Sequence, residues 1–145
     1  KLSVLLIGLG GVGAPILSQL KSNSNLTISY LDKEERGGNN FRSVCVEHGG
    51  NLNTYEITRY FYGNSKTSVV DVIILSCKAH QNKHVFQSIA KYATSSTLLL
   101  ILQNGLGLGS ELREINFPGI SFAPELVSSS HKTSANSILV EQWPT

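Results

Sequence analysis

The sequence predicts an α/β fold: a Rossmann-like, doubly wound and mostly parallel sheet with helices on both faces. Short apolar runs of strand length alternate along the chain with segments whose apolar residues recur at helical spacing. Runs that are apolar throughout indicate strands buried on both faces, as in parallel sheets. Polar or glycine-rich stretches follow four of these strands, and ligands of such sheets bind outside the carboxyl ends of the strands. We therefore expect one binding site built from four loops.

The composition fits a single domain that spans residues 1–145, with 41% hydrophobic residues to form a core. The net charge of +2 includes no basic block, so it does not indicate a nucleic-acid partner or a membrane surface. Cys45 and Cys77 are too few for a disulfide scaffold, and the histidines and cysteines lack metal-ligand spacing. We expect a cytoplasmic protein with reduced thiols and no metal.

Glycines at positions 8, 10 and 13 separate a predicted strand, residues 2–7, from a predicted helix, residues 14–20. Where a strand turns into a helix, free N–H groups and the positive end of the helix dipole attract a phosphate. In this spacing the first glycine serves the tight turn, the second the approach of a pyrophosphate and the third helix–strand packing. A turn that only packs the helix is the alternative. The predicted dinucleotide-binding residues are Gly8, Leu9, Gly10, Gly11, Val12 and Gly13.

The remaining elements are predicted from the same two patterns: apolar runs of strand length, and apolar residues that recur at helical spacing. Residues 40–48 are predicted as a short helix that ends at a glycine pair, and residues 51–62 as one strand or a short hairpin. Further strands are predicted at residues 26–31, 69–77, 97–102, 119–123 and 137–140, and further helices at residues 83–92 and 110–115.

The loop predicted after the second strand carries charges of both signs. Asp32 stands where an acid accepts a hydrogen bond from the ribose 2′-hydroxyl of NAD. A cation in the same loop accommodates the 2′-phosphate of NADP, and Lys33 and Arg36 supply such cations. Charge alone leaves the choice between NADP and NAD open, and a solvated charged loop is the alternative.

Two polar residues follow later buried strands directly. Lys78 would project its ammonium over the crevice toward phosphate, ribose or a substrate carboxylate. Asn104 follows the next strand, where an amide can hold both a nicotinamide ribose and a substrate hydroxyl. A plain surface lysine and a simple Asn-Gly turn are the alternatives. We interpret His80 as an exposed residue and Cys77 as a small buried hydrophobe.

Three stretches, taken in order, resemble the N-terminal domain of ketopantoate reductases (2-dehydropantoate 2-reductases). They are Ile-Gly-Leu-Gly-Gly-Val-Gly at residues 7–13, Asp-Val-Ile-Ile-Leu-Ser-Cys-Lys-Ala at 71–79 and Leu-Gln-Asn-Gly-Leu-Gly at 102–107. The first is generic, whereas the other two are much more specific. The resemblance implies an oxidoreductase that uses NADPH to reduce 2-dehydropantoate to pantoate, a step of pantothenate biosynthesis toward coenzyme A.

The resemblance also implies roles for single residues. Lys78 and Asn104 would contact cofactor and substrate in the cleft as supporting catalytic groups. Lys33 and Arg36 match cations that meet the 2′-phosphate of NADP. Asp32 departs from the small or apolar residue usual in the family, which keeps NAD as the alternative cofactor. His80 stands where an aromatic residue is common.

In the family, a helical C-terminal domain supplies the lysine that acts as general acid, and it would follow residue 145. We therefore expect this chain to be the cofactor domain of a reductase of a small 2-oxo acid. The fragment alone would be inactive, and a homodimer would form through the C-terminal domain. The alternatives are an NAD(P)-binding sensor or interaction module without catalysis, and a related reductase of another 2-oxo acid.

Overall fold

The computed structural model describes residues 1–9, 13–32, 41–61, 68–77, 82–103, 116–122, 130–132 and 137–140. Within these ranges the chain forms nine strands of one sheet and two α-helices. The strands are β1 Leu2–Ile7, β2 Leu26–Asp32, β3 Phe41–His48, β4 Asn51–Phe61, β5 Val72–Leu75, β6 Leu98–Ile101, β7 Ile120–Phe122, β8 Ser130–Lys132 and β9 Ser137–Val140. The helices are α1 Gly13–Lys21 and α2 Asn82–Ile89, which continues into a 3-10 turn at Ala90–Tyr92.

The order of the strands across the sheet is β7-β6-β5-β1-β2-β4-β3-β9-β8. The first six strands in this order are all parallel, and their sequence is that of the doubly wound dinucleotide-binding fold. Strand β3 runs antiparallel to β4, β9 parallel to β3, and β8 antiparallel to β9. The predicted α/β fold with a mostly parallel sheet is therefore confirmed. Its switch point lies at β1, since the chain extends the sheet from β1 in both directions.

Two apolar layers cover the opposite faces of the sheet. Alternate residues of β1 point to opposite faces, so Val4 and Leu6 belong to one layer and Leu5 and Ile7 to the other. Helix α1 packs on the first layer, which includes Ala14, Leu17, Ile28, Tyr30 and Ile57. Helix α2 and the turn after it pack on the second layer, which includes Ile73, Leu75, Phe86, Ile89 and Tyr92. The two helices thus flank the sheet, as the fold class requires.

The helix predicted at residues 40–48 is wrong, because Phe41–His48 forms strand β3. Val44 and Val46, two residues apart, are both buried, which is the period of a strand and not of a helix. Gly49 and Gly50 both have positive φ, +59° and +79°, and join β3 to β4 as a two-residue hairpin turn. The glycine pair that was interpreted as a helix end is the tip of this hairpin.

The other predicted strands are present, β1 and β9 with the predicted bounds and the rest with shifted ends. The prediction at residues 51–62 corresponds to a single strand, β4 at Asn51–Phe61, whose hairpin partner is β3. Strand β5 is shorter than residues 69–77, although Asp71 and Ser76 at its two ends still donate backbone hydrogen bonds to β1, at 3.0 and 2.8 Å. Strand β8 has no counterpart among the predictions. The helix predicted at residues 110–115 lies outside the described residues.

Candidate functional site

The turn after β1 depends on Gly8. Its φ is +92°, a conformation that L side chains rarely adopt. A Cβ at this position would lie 2.5 Å from the backbone nitrogen of Cys77 and 2.8 Å from the carbonyl carbon of Ser76. The end of β1 therefore runs directly against the end of β5, and glycine is the residue that permits this contact.

The start of α1 is packed against the same turn. A Cβ on Gly13, the first residue of α1, would collide with the carbonyl oxygen of Gly8 and lie 2.5 Å from Ser76 Oγ. The Ser76 hydroxyl lies within hydrogen-bond distance of the carbonyl oxygens of Ile7 and Gly8, at 3.0 and 2.9 Å, and shares its proton between them. This geometry is the one that the third glycine of G-x-G-x-x-G provides. It brings the amino end of a helix to the carboxyl edge of the sheet, at the switch point.

Gln103 ties the end of β6 to the end of β5. Its Nε2 donates a hydrogen bond of 2.7 Å to the carbonyl oxygen of Cys77 and lies 3.5 Å from Cys77 Sγ. The carboxyl ends of β1, β5 and β6 are therefore linked through side chains and backbone. Lys78 and Asn104 are the next residues along the chain after these two anchored positions.

Four of the predicted site residues lie in the part of the chain that the structure describes: Gly8, Leu9, Gly13 and Asp32. Leu9 is buried in the layer beneath α1, so its side chain belongs to the core. Only its backbone could therefore contact a ligand. The roles of the others remain predictions, because these residues lie outside the described ranges: Gly10, Gly11, Val12, Lys33, Arg36, Lys78 and Asn104.

The acid predicted to contact the ribose, Asp32, is held by two arginines. Arg59 Nε lies 3.4 Å from Asp32 Oδ2, and Arg42 Nη1 lies 3.9 Å from the same oxygen. The three side chains are only 10 to 21% exposed. Asp32 is the last residue of β2, so this charged cluster lies at the same edge of the sheet as the glycine turn.

Tyr30 completes the cluster. The guanidinium carbon of Arg42 lies 4.7 Å from the centroid of the Tyr30 ring, within the range of a cation–π contact. Burial raises the pKa of Tyr30 above its ordinary value, and the positive charge of Arg42 opposes part of that rise. The phenol therefore stays neutral at physiological pH and serves as a flat surface for the guanidinium.

Neither Arg42 nor Arg59 was among the predicted site residues. Each occurs two residues from buried apolar residues of its strand, Arg42 before Val44 and Arg59 after Ile57. A charged residue in register with the buried face of a strand is the signal that would have found them. For Arg42 that signal was hidden, since its strand was predicted as a helix.

Within the described ranges no group of three His, Cys, Asp or Glu side chains is placed to hold a metal ion. Neither cysteine of the chain forms a disulfide. None of the helices in the described residues has the length and apolar character needed to span a bilayer.

The strand order and the glycine turn define a Rossmann-like α/β domain with a helix start at its switch point. The sequence profile of the ketopantoate reductase PanE/ApbA family matches residues 4–135. The chain therefore belongs to this family, and the resemblance inferred from three motifs is confirmed. No curated protein matches the chain in sequence.

Solved structures with the same fold include the dimeric ketopantoate reductase from Staphylococcus aureus, with a TM-score of 0.73 and 23% identity. A PanE/ApbA family ketopantoate reductase from Ralstonia eutropha has a TM-score of 0.75 and 14% identity. A D-mandelate dehydrogenase solved with NADH and anilino(oxo)acetate has a TM-score of 0.79 and 17% identity. Each match covers 97% of this chain but only 45 to 46% of the other chain, so this chain spans slightly less than half of their length.

Proposed function

We propose that this chain is the cofactor-binding domain of an NADP-dependent reductase that converts 2-dehydropantoate to pantoate. The observation that carries the proposal is membership of the ketopantoate reductase family over residues 4–135. The packing of Gly13 against Gly8 supports it, because a Cβ on Gly13 would collide with the carbonyl oxygen of Gly8 and force the helix start away from the end of β1. A helix start held directly beside the end of a strand in this way suits a pyrophosphate.

The residues of this chain would hold and orient the cofactor. Backbone N–H groups of residues 10–13 would bind the pyrophosphate at the start of α1, and Lys33 and Arg36 would meet the 2′-phosphate of NADP. Lys78 and Asn104 would position the nicotinamide ribose and the anionic substrate. The bound nicotinamide supplies a hydride for the ketone carbon of the 2-oxo acid.

Protonation of the ketone oxygen needs a further group. We propose that this group is a lysine outside the 145 residues, in the family's C-terminal domain. The contribution of this chain would then be orientation and electrostatics, which lower the barrier by placing cofactor and substrate together. A homodimer formed through that domain and a cytoplasmic location are parts of the same proposal. The relative from Staphylococcus aureus is itself described as dimeric.

Fluorescence titration of the chain with NADPH tests cofactor binding. We expect saturable binding, and we expect Gly13→Ala to weaken it at least tenfold, because the added Cβ would displace the helix start from the turn. Gly49→Ala is the matched control, since nothing lies within 4 Å of a Cβ at that hairpin glycine. Absence of binding by the folded wild-type chain would overturn the proposal, as would equal losses in the two variants.

Activity assays test whether the general acid lies outside this chain and which 2-oxo acid is the substrate. The 145-residue chain should bind NADPH without reducing 2-dehydropantoate, whereas the complete gene product should reduce it faster than other 2-oxo acids. Full turnover by the 145-residue chain would contradict the assignment of the general acid to another domain. Preference of the complete protein for another 2-oxo acid would favour a related reductase. Binding without any turnover would favour a sensor or interaction module.

A further inference from the structure

Charged side chains from three strands meet at the carboxyl end of β2. Asp32 on β2 contributes one negative charge, and Arg42 on β3 and Arg59 on β4 each contribute a positive one. Both arginines approach the same carboxylate oxygen, Asp32 Oδ2, at 3.9 and 3.4 Å. The cluster therefore carries a net charge of +1. Its negative member, Asp32, is the last residue of β2.

Strand register places the cluster on the face of the sheet that α1 covers. Arg59 is paired with Tyr30, and Arg42 with Ile57. Tyr30 and Ile57 both belong to the layer beneath α1. In doubly wound domains this place, at the end of the second parallel strand beside the glycine turn, contacts the adenosine ribose of the dinucleotide.

An acid at this place favours NAD in two ways. Its oxygens accept hydrogen bonds from the ribose hydroxyls, and its charge repels the 2′-phosphate of NADP. The contacts of Asp32 weaken both effects, because one carboxylate oxygen is shared by two guanidinium groups and its charge is more than offset. Since the three side chains are mostly buried, solvent ions screen these charges less than they would on the surface.

We propose that Arg42 and Arg59 are specificity-determining residues, which neutralise Asp32 and so let the end of β2 accept the 2′-phosphate of NADPH in preference to NADH. The inference rests on the proposed function only in that the domain binds a nicotinamide dinucleotide. Tyr30 supports Arg42 by stacking against its guanidinium group at 4.7 Å. Basic residues of β3 and β4 would thus help to decide the preference.

The test is the ratio of the dissociation constants for NADH and NADPH, measured by fluorescence titration at low ionic strength. We expect the wild-type chain to favour NADPH. Arg59→Leu should lower the ratio by at least about tenfold, because the less compensated Asp32 carboxylate would repel the 2′-phosphate, and a charge contact of a few ångströms at an effective dielectric constant of about 20 exceeds the free energy of a tenfold change. Arg42→Leu should lower it in the same direction but by less, because its contact with Asp32 is longer.

Removal of the Asp32 carboxylate distinguishes two roles of the arginines: neutralisation of Asp32 and direct contact with the 2′-phosphate. If the arginines act by neutralising Asp32, then Asp32→Asn in the Arg59→Leu background should restore most of the NADPH preference. Lys21→Leu is the control, because it removes a positive charge from the last turn of α1, the end of that helix farthest from the glycine turn. That control should leave the ratio unchanged.

The outcomes distinguish this inference from the proposed function. A folded wild-type chain that binds neither cofactor would overturn the proposed function. A chain that binds both, with a ratio unaffected by Arg59→Leu and Arg42→Leu, would overturn this inference alone, as would a wild-type preference for NADH. If Arg59→Leu fails to fold, Asp32→Asn alone decides: the inference requires that it keep the NADPH preference, and a fall in that preference contradicts it.

Discussion

The backbone of Gly8 makes Gly8→Ala a quantitative test of the turn between β1 and α1. With φ at +92°, an alanine there would be strained by roughly 1–2 kcal/mol relative to glycine. Its Cβ would also stand 2.5 Å from the backbone nitrogen of Cys77, so the end of β5 would have to move. Overpacking of this kind costs about 1–3 kcal/mol more. We therefore expect the free energy of unfolding to fall by roughly 2–5 kcal/mol.

Gly50→Ala separates the two contributions. Gly50 has a similar φ of +79°, but nothing lies within 4 Å of a Cβ at this hairpin position. This variant should lose only the conformational part, roughly 1–2 kcal/mol. Urea denaturation followed by far-UV circular dichroism gives both values. Equal losses would refute the reasoning, since they would show that the approach of Gly8 to β5 contributes nothing beyond backbone strain.

Tyr92 and Asp71 supply two further tests of stability. Tyr92 is fully buried and its hydroxyl has no hydrogen-bond partner among the described residues, so Tyr92→Phe should leave the free energy of unfolding unchanged or raise it by up to about 1 kcal/mol. A loss of that size in urea denaturation would contradict this. Hydrogen bonds from the backbone N–H and hydroxyl of Ser3 hold the pKa of Asp71 below its ordinary value of 3.8. Their stabilisation is complete above that value and is lost as the pH falls through the lower pKa of the folded state. The melting temperature of the wild type should thus fall more steeply with acid than that of Asp71→Asn, and parallel curves would refute this.

The parallel part of the sheet is predictable where its strands have apolar sequences and are also buried in the folded protein. Strand β1 is apolar along most of its length, and it is buried on both faces, so its sequence carries the whole signal. Strand β3 differs, since its sequence alternates only over a few residues and a glycine pair ends helices as well as joining hairpins. What decides its conformation is pairing with β4 and β9, and those contacts are not visible in a local window.

The residues of the candidate site also differ in whether local sequence or the arrangement of the strands determines their position. Gly8 and Gly13 are predictable because the spacing of a strand, a turn and a helix start is a local property of the chain. The meeting of Arg42 and Arg59 at Asp32 depends on which strands flank β2, and therefore on the order of the whole sheet. The local sequence predicts Lys33 and Arg36 as cations for the 2′-phosphate, but it does not predict the two arginines.

The effect of an acid at the end of β2 depends on what holds it. An acid at this position, considered alone, would oppose a 2′-phosphate. The Asp32 carboxylate is instead approached by side chains from two other strands, at 3.4 and 3.9 Å, so this cluster of three side chains has a net positive charge. If Arg42 and Arg59 neutralise Asp32 as we propose, the end of β2 accepts NADPH despite the acid. Asp32 and the two arginines are therefore best treated as one feature, and the double variant of Asp32→Asn with Arg59→Leu measures how they act together.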